Sequence, residues 1–150
     1  MLKERYGDVA VTLRGNVAEV EIRRPPNNFF DHALIRDLAD ALDELDVTRE
    51  CRAVVLCSEG KSFCAGANFA NRSASVLDDG SPRGRNPLYE EAVRLFSCRK
   101  PVVAAVQGAA IGGGFGLAVF ADFRVAAPEA RFAANFVKLG IHPGFGLTHT

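Results

Sequence analysis

The sequence has no excess of charge, no long apolar run and no paired cysteine spacing, and each lack removes a class of protein. Lys plus Arg and Asp plus Glu stand at 18 each, so no net field draws the chain to nucleic acid or to an anionic membrane. No uninterrupted apolar run reaches the roughly 18 residues of a bilayer span. Met1-Leu-Lys-Glu-Arg-Tyr-Gly-Asp at the start lacks the apolar core of a secretory signal, and a cytoplasmic location is the expectation. Cys51, Cys57, Cys64 and Cys98 form no Cys-x-x-Cys pair and read as reduced, mostly buried thiols. His32 and His149 have no metal-ligand spacing to each other or to a cysteine, so no metal is expected.

What remains is ample for one core. The chain has 150 residues, 48% of them hydrophobic, which suits a single domain over 1–150. Val9–Leu13 and Val17–Ile22 alternate around Arg14-Gly-Asn and predict a β-hairpin, stopped by Arg23-Arg-Pro-Pro26. Asp31 is a suitable N-cap for a helix to about Asp46. Leu34, Leu38, Ala41, Leu42 and Leu45 form its inner face, with Asp37, Asp40, Asp43 and Glu44 outward. Ala53–Cys57 and Val102–Val106 read as strands buried on both faces. The polar stretch from Ala70 to Asn86 reads as a mobile loop. Pro87 opens a helix from Leu88 to about Arg99, with Leu88, Ala92, Leu95 and Phe96 on one side. A short helix at Gly113–Phe120 and a strand at Phe123–Ala127 follow. Two strand–turn–helix units in tandem make the chain α/β. Pro143–Thr150 is a loop-to-helix signal with no helix after it, which reads as an interrupted chain.

Two turns carry chemistry: Phe63-Cys-Ala-Gly-Ala-Asn68 and Gly108-Ala-Ala-Ile-Gly-Gly-Gly-Phe-Gly116. Small side chains leave backbone N–H groups open to one anion. Paired donors suit a carbonyl oxygen that gains charge in a reaction. Nucleotide readings fail. Gly112-Gly-Gly-Phe-Gly116 is followed by Leu117 where a dinucleotide fingerprint needs glycine, and Gly114-Phe115 replaces the Lys-Ser/Thr of a phosphate loop. Taken singly, either turn could serve only to pack a helix tightly on a sheet.

Together the motifs resemble the crotonase family, the enoyl-CoA hydratase/isomerase superfamily. The likeness rests on Arg24-Pro-Pro-Asn-Asn28, Lys61–Asn68 and Lys100-Pro-Val-Val-Ala-Ala-Val-Gln-Gly-Ala-Ala-Ile-Gly-Gly-Gly114. Asp122-Phe-Arg-Val-Ala126 and Leu139-Gly-Ile-His-Pro-Gly144 extend it over nearly the whole chain. The resemblance implies a spiral of repeated β-β-α units, without the C-terminal helices through which family members form trimers or dimers of trimers. It implies an acyl-CoA thioester as substrate, with no cofactor beyond the CoA moiety, in fatty acid metabolism. The family's oxyanion hole falls on the backbone N–H of Ala67 and Gly113. Ala65, Gly66, Ala67, Asn68 and Phe69, with Gly113, fall where the family holds CoA.

The departures matter equally. The two glutamates of the hydratase members fall on Gly116 and Phe136, so a hydratase using that pair is not expected. Asn68 replaces the family's aspartate and keeps hydrogen-bonding capacity without charge. His142 is the first choice to move a proton, because imidazole titrates near neutrality; the alternative is a histidine that satisfies a turn. Asp122 reads as a structural hydrogen-bond partner and Glu129 as a turn residue. Phe115, Phe132, Phe136 and Phe145 are candidates for an apolar pocket or for ordinary core. Arg23, Arg24, Lys61, Arg83 and Arg85 could meet CoA phosphates or be solvated surface charge. Cys64 reads as a packed residue, not a nucleophile. The expectation is an isomerase or other lyase that stabilises a thioester enolate. The rival is a non-catalytic acyl-CoA-binding or scaffold homologue.

Overall fold

A computed structural model describes residues 2–70 and 86–149. Most of the loop expected between Ala70 and Asn86 lies outside them, with Arg83 and Arg85.

The hairpin forms as its alternation predicts. β2 (Val9–Arg14) and β3 (Val17–Ile22) pair antiparallel from Val9↔Ile22 to Arg14↔Val17. β1 (Arg5–Tyr6) adds an outer strand. Ala18, Val20 and Ile22 of β3 are fully buried, which puts the apolar half of the alternation against the first helix.

That helix, α1 (His32–Val47), begins where Asp31 accepts from the Leu34 amide at 2.9 Å. Leu34, Ile35, Leu38, Ala41, Leu42 and Leu45 are buried. Helical periodicity places Asp37 outward, yet it is only 7% exposed. The cause is close packing with the chain's start: a β-carbon on Gly7 would lie 2.0 Å from Asp37 Oδ2. Arg36 pairs with the carboxylate at 3.1 Å. Glu44 is also drawn in, accepting from the Tyr6 hydroxyl, while Asp40 and Asp43 stay exposed and bind Arg94.

Downstream follow β4 (Ala53–Ser58), α2 (Pro87–Phe96), β5 (Val102–Val106), β6 (Ala109–Ile111), α3 (Gly113–Phe120), β7 (Phe123–Ala126) and β8 (Arg131–Ala133). α2 ends at Phe96, short of the predicted Arg99. Asp46, at the end of α1, captures the amides of Arg99 at 2.9 Å and Lys100 at 3.2 Å, which turns the chain out of the helix. The main sheet runs β1-β2-β3-β4-β5-β7, parallel from β3 onward. β4 and β5, expected to be buried on both faces, are buried at Val54 and Leu56 and at Val102, Ala104 and Val106, and half-buried at the positions between. β7, at the sheet edge, is exposed along its length.

Each of β4, β5 and β7 then feeds a second, smaller sheet. Ala109, Ala110 and Ile111 of β6 pair parallel with Arg131, Phe132 and Ala133 of β8, and Cys64 bridges to Ala110 on the other side. Strand and turn thus repeat three times along a spiral, leading to a single bridge at Cys64 and to the second-layer strands β6 and β8. The second-layer strand at 109–111 is what the sequence reading treats as part of a glycine turn. Among the described residues no helix is long and apolar enough to cross a membrane.

Candidate active site

The second sheet brings the two glycine turns side by side. The Cys64 amide donates to Ala109 O at 2.9 Å and the Ile111 amide donates to Cys64 O at 3.0 Å; the Gly112 amide donates to Ala133 O at 2.8 Å. The approach is too close for side chains. A β-carbon on Gly114 would lie 2.1 Å from Cys64 O, and one on Gly66 would lie 2.7 Å from Ile111 O. Gly66 and Gly112 also take φ values of +82° and +55°, a region open to glycine at little cost.

Two side-chain amides fix the first turn. Asn28, fully buried, donates through Nδ2 to Glu59 O at 2.8 Å and Ser62 O at 2.7 Å, and its Oδ1 accepts from the Arg24 amide. Gln107 Nε2 donates to Ser58 O and Gly60 O from the opposite side. The chain then passes Ala65, whose amide donates to Asn27 O, and Gly66, whose carbonyl accepts from Phe30. Arg24 pairs with both Asp8 and Asp31, so its guanidinium is committed to the N-cap of α1. Arg23 pairs with Glu21, and Lys61 is exposed.

Both turns open on one cleft. Ala65, Gly66, Ala67, Phe69, Gly113 and His142 all line it. Asn68 does not; its Oδ1 accepts from the Ala70 amide at 3.1 Å and closes its own turn. Among the described residues the Ala67 and Gly113 amides have no hydrogen-bond acceptor. For Gly113 the reason is its position as first residue of α3, where amides have no intrahelical partner and Gly112 offers no side-chain cap. The positive end of the helix dipole falls at the same place.

The walls are apolar, formed by Phe30, Leu88, Ile111, Phe136, Ile141 and Phe145 among others. Phe115 and Phe132, grouped with the pocket phenylalanines by the sequence reading, meet each other edge-on instead, with centroids 5.8 Å apart. Phe145, 3% exposed, meets Phe30 edge-on at 5.0 Å. No Asp, Glu, Lys or Arg lines the cleft among the described residues. The polar lining side chains are Tyr89, Asn135 and His142, of which the sequence reading finds only the last. Asn135 and Tyr89 carry no motif; only the fold, by placing Asn135 beside Gly112 and Tyr89 beside Gly144, reveals them.

His142 is exposed, and its Nδ1 stands 2.7 Å from Pro143 O. A carbonyl only accepts, so Nδ1 carries the hydrogen and Nε2 keeps a lone pair able to take a proton. Cys64 is fully buried and burial pushes its thiol up to about 12, which leaves no thiolate for nucleophilic attack near neutrality. Asp122 accepts from the Val102 amide at 2.8 Å and ties β7 to β5, the structural part expected of it.

Residues 12–150 match the family model described as enoyl-CoA hydratase/isomerase. The chain is 38% identical over 145 residues to a protein of Mycobacterium tuberculosis named probable enoyl-CoA hydratase EchA14, covering 96% of this chain and 56% of that protein. It is 37% identical over 145 residues to the short-chain-enoyl-CoA hydratase of Clostridium acetobutylicum, covering 94% and 54%. A Geobacillus kaustophilus crystal structure, named as enoyl-CoA hydratase subunit I, superposes with a TM-score of 0.87 at 31% identity, over 97% of this chain and 56% of that one. The chain spans about half the length of these relatives.

Proposed function

Because the chain belongs to the enoyl-CoA hydratase/isomerase family, we propose that its cleft takes the acyl end of a CoA thioester and stabilises the enolate. The amides of Ala67 and Gly113 serve as the oxyanion donors. An enolate concentrates negative charge on the thioester oxygen, and donors already fixed in an apolar cleft stabilise that charge without reorganising. Ala65, Gly66 and Phe69 offer the neighbouring surface for the CoA arm, and His142 Nε2 is the base. The observation that carries this reading is that Ala67 and Gly113, whose amides have no acceptor among the described residues, line one and the same apolar cleft.

The relatives carry hydratase names, but hydration by a carboxylate pair finds no support at the two motif positions. Phe136 presents a ring to the cleft, and Gly116 is covered by Phe145. A wall of that kind offers no carboxylate to orient and activate the water that hydration needs, so isomerisation or another lyase reaction is the proposed chemistry. The same missing carboxylates favour a second reading, a non-catalytic acyl-CoA binder.

A panel of saturated, 2-enoyl, 3-enoyl and carboxylated acyl-CoA thioesters separates the two. Double-bond shift or carbon dioxide release, lost in His142→Ala, is the result expected of the enzyme. Binding without turnover of any member would establish the binder. Hydration at an undiminished rate in His142→Ala would overturn the chemistry proposed.

A further inference from the structure

We infer that Tyr89 is the proton donor that works opposite His142 in this cleft, an inference that rests on the thioester reading above. Among the described residues, Tyr89 and His142 are the two lining side chains able to exchange a proton in ordinary acid–base catalysis. The chain has two tyrosines, and their situations differ. The Tyr6 hydroxyl is held by Glu44, and burial together with that carboxylate raises its pKa; its proton is committed. The Tyr89 hydroxyl makes no hydrogen bond among the described residues.

Its placement is built. Tyr89 stands in the first turn of α2, where its amide donates to Asn86 O at 2.9 Å. From there the ring reaches the 142–144 loop, and a β-carbon on Gly144 would lie 2.3 Å from the hydroxyl oxygen. Only a residue without a side chain lets the phenol rest there. Two residues earlier on the same loop, His142 is oriented by its Nδ1–H···O=C bond to Pro143. One loop therefore seats both the acceptor nitrogen and the donor hydroxyl on the cleft that holds the Ala67 and Gly113 amides.

For a 3-enoyl thioester the steps balance as a proton shift with no redox change. His142 Nε2 takes a proton from the α-carbon, and the electron pair of that C–H bond enters the dienolate held by the two amides. The Tyr89 O–H bond breaks and its proton forms a new C–H bond at the γ-carbon, while the double bond moves to the α,β position. The phenolate then recovers a proton from the imidazolium, and both groups return to their starting states.

The test uses the intact chain and 3-hexenoyl-CoA in deuterated water, followed by NMR, with Tyr89→Phe, His142→Ala and Gly144→Ala. Tyr89→Phe should bind the thioester and still exchange its α-proton for deuterium, while the double-bond shift falls by about a hundredfold or more. His142→Ala should lose exchange and shift together. Gly144→Ala keeps the phenol but displaces it, and should lower the shift as Tyr89→Phe does. A Tyr89→Phe shift rate within about threefold of the parent overturns the assignment, because a donor in the rate-limiting sequence is worth far more. So does loss of α-proton exchange in Tyr89→Phe along with the shift. A parent chain that binds the thioester but never moves the double bond overturns this inference and leaves thioester binding intact; a parent that binds no thioester overturns both.

Discussion

Phe145 lies over Gly116: a β-carbon on that glycine would stand 2.8 Å from Phe145 Cδ1 and 3.0 Å from Phe145 O. Phe145 itself takes φ of +53° and is buried against Phe30 and Phe96. The space a side chain at 116 would need is thus occupied by ring and backbone at once. Gly116→Glu is expected to lower stability by about 1–3 kcal/mol, the usual range for overpacking, and to leave hydration no faster. Truncating the ring in Gly116→Glu/Phe145→Ala should relieve only part of the loss, since the carbonyl contact remains. Urea denaturation and an enoyl-CoA hydration assay check both halves. Recovery of full stability in the double variant would show that the ring alone closes the site.

Asn28 should be among the least replaceable residues outside the cleft. Its side chain satisfies the Arg24 amide, Glu59 O and Ser62 O in a fully buried position, and its backbone has φ of +48°. Asn28→Ala removes three hydrogen bonds and strands their partners, each costing about 1 kcal/mol or more, in a conformation alanine resists. A loss of about 3 kcal/mol is expected. Asn28→Gly restores the backbone freedom and should recover only a minor share. Chemical denaturation of the three proteins measures the ladder directly.

Much of this fold is written in local pattern. The hairpin is legible because alternation is a two-residue signal, and α1 because Asp31 and the apolar face mark its start and inner side. The tandem turns are legible because close approach of two backbones admits almost nothing but glycine and alanine. Other features depend on distant partners. Asp37 sits at an outward position by helical period, and only the arrival of Gly7 makes it interior. The end of α2 is set by Asp46, far back in the chain. Phe115 and Phe145 are equivalent as letters, yet the path of the 142–146 loop sends one into the cleft wall and leaves the other outside it. Tyr89 has no motif around it at all; its neighbour Gly144 is remote in sequence and becomes meaningful only when α2 meets the loop.

The buried Cys64 and the half-buried Cys57 and Cys98 predict an alkaline weakness. Burial raises Cys64 to about 12 from an ordinary 9.0, and raises Cys57 and Cys98 to about 11. Above the ordinary value the unfolded chain gives up these protons while the folded chain keeps them. The unfolded state then binds fewer protons, so stability must fall as pH rises from about 9 toward 12. In Cys64→Ala the fall should be shallower, whatever the cavity does to absolute stability. Denaturant midpoints followed from about pH 8 to about pH 10 give the two slopes, and equal slopes would show that Cys64 is not a contributor.

The donor role of Gly113 can be separated from crowding against Phe30 by comparing two variants. A β-carbon at 113 would meet the Phe30 ring at 3.0–3.1 Å, so Gly113→Ala and Gly113→Pro both press on the same neighbour. Proline is compatible with the first position of a helix, where its missing N–H breaks no intrahelical bond. The two variants therefore differ at the one amide that faces no acceptor in the free protein, whose hydrogen proline replaces with its ring Cδ. Relative to Gly113→Ala, Gly113→Pro should lower turnover of a CoA thioester by about a hundredfold, or about 3 kcal/mol, the typical worth of one such donor. The carbonyl carbon of a bound, isotopically labelled thioester should also shift back toward its value in water, because one polarising hydrogen bond is gone. A proline variant that matches the alanine variant in both rate and carbonyl shift would remove Gly113 from the chemistry and leave it a packing glycine at the start of α3.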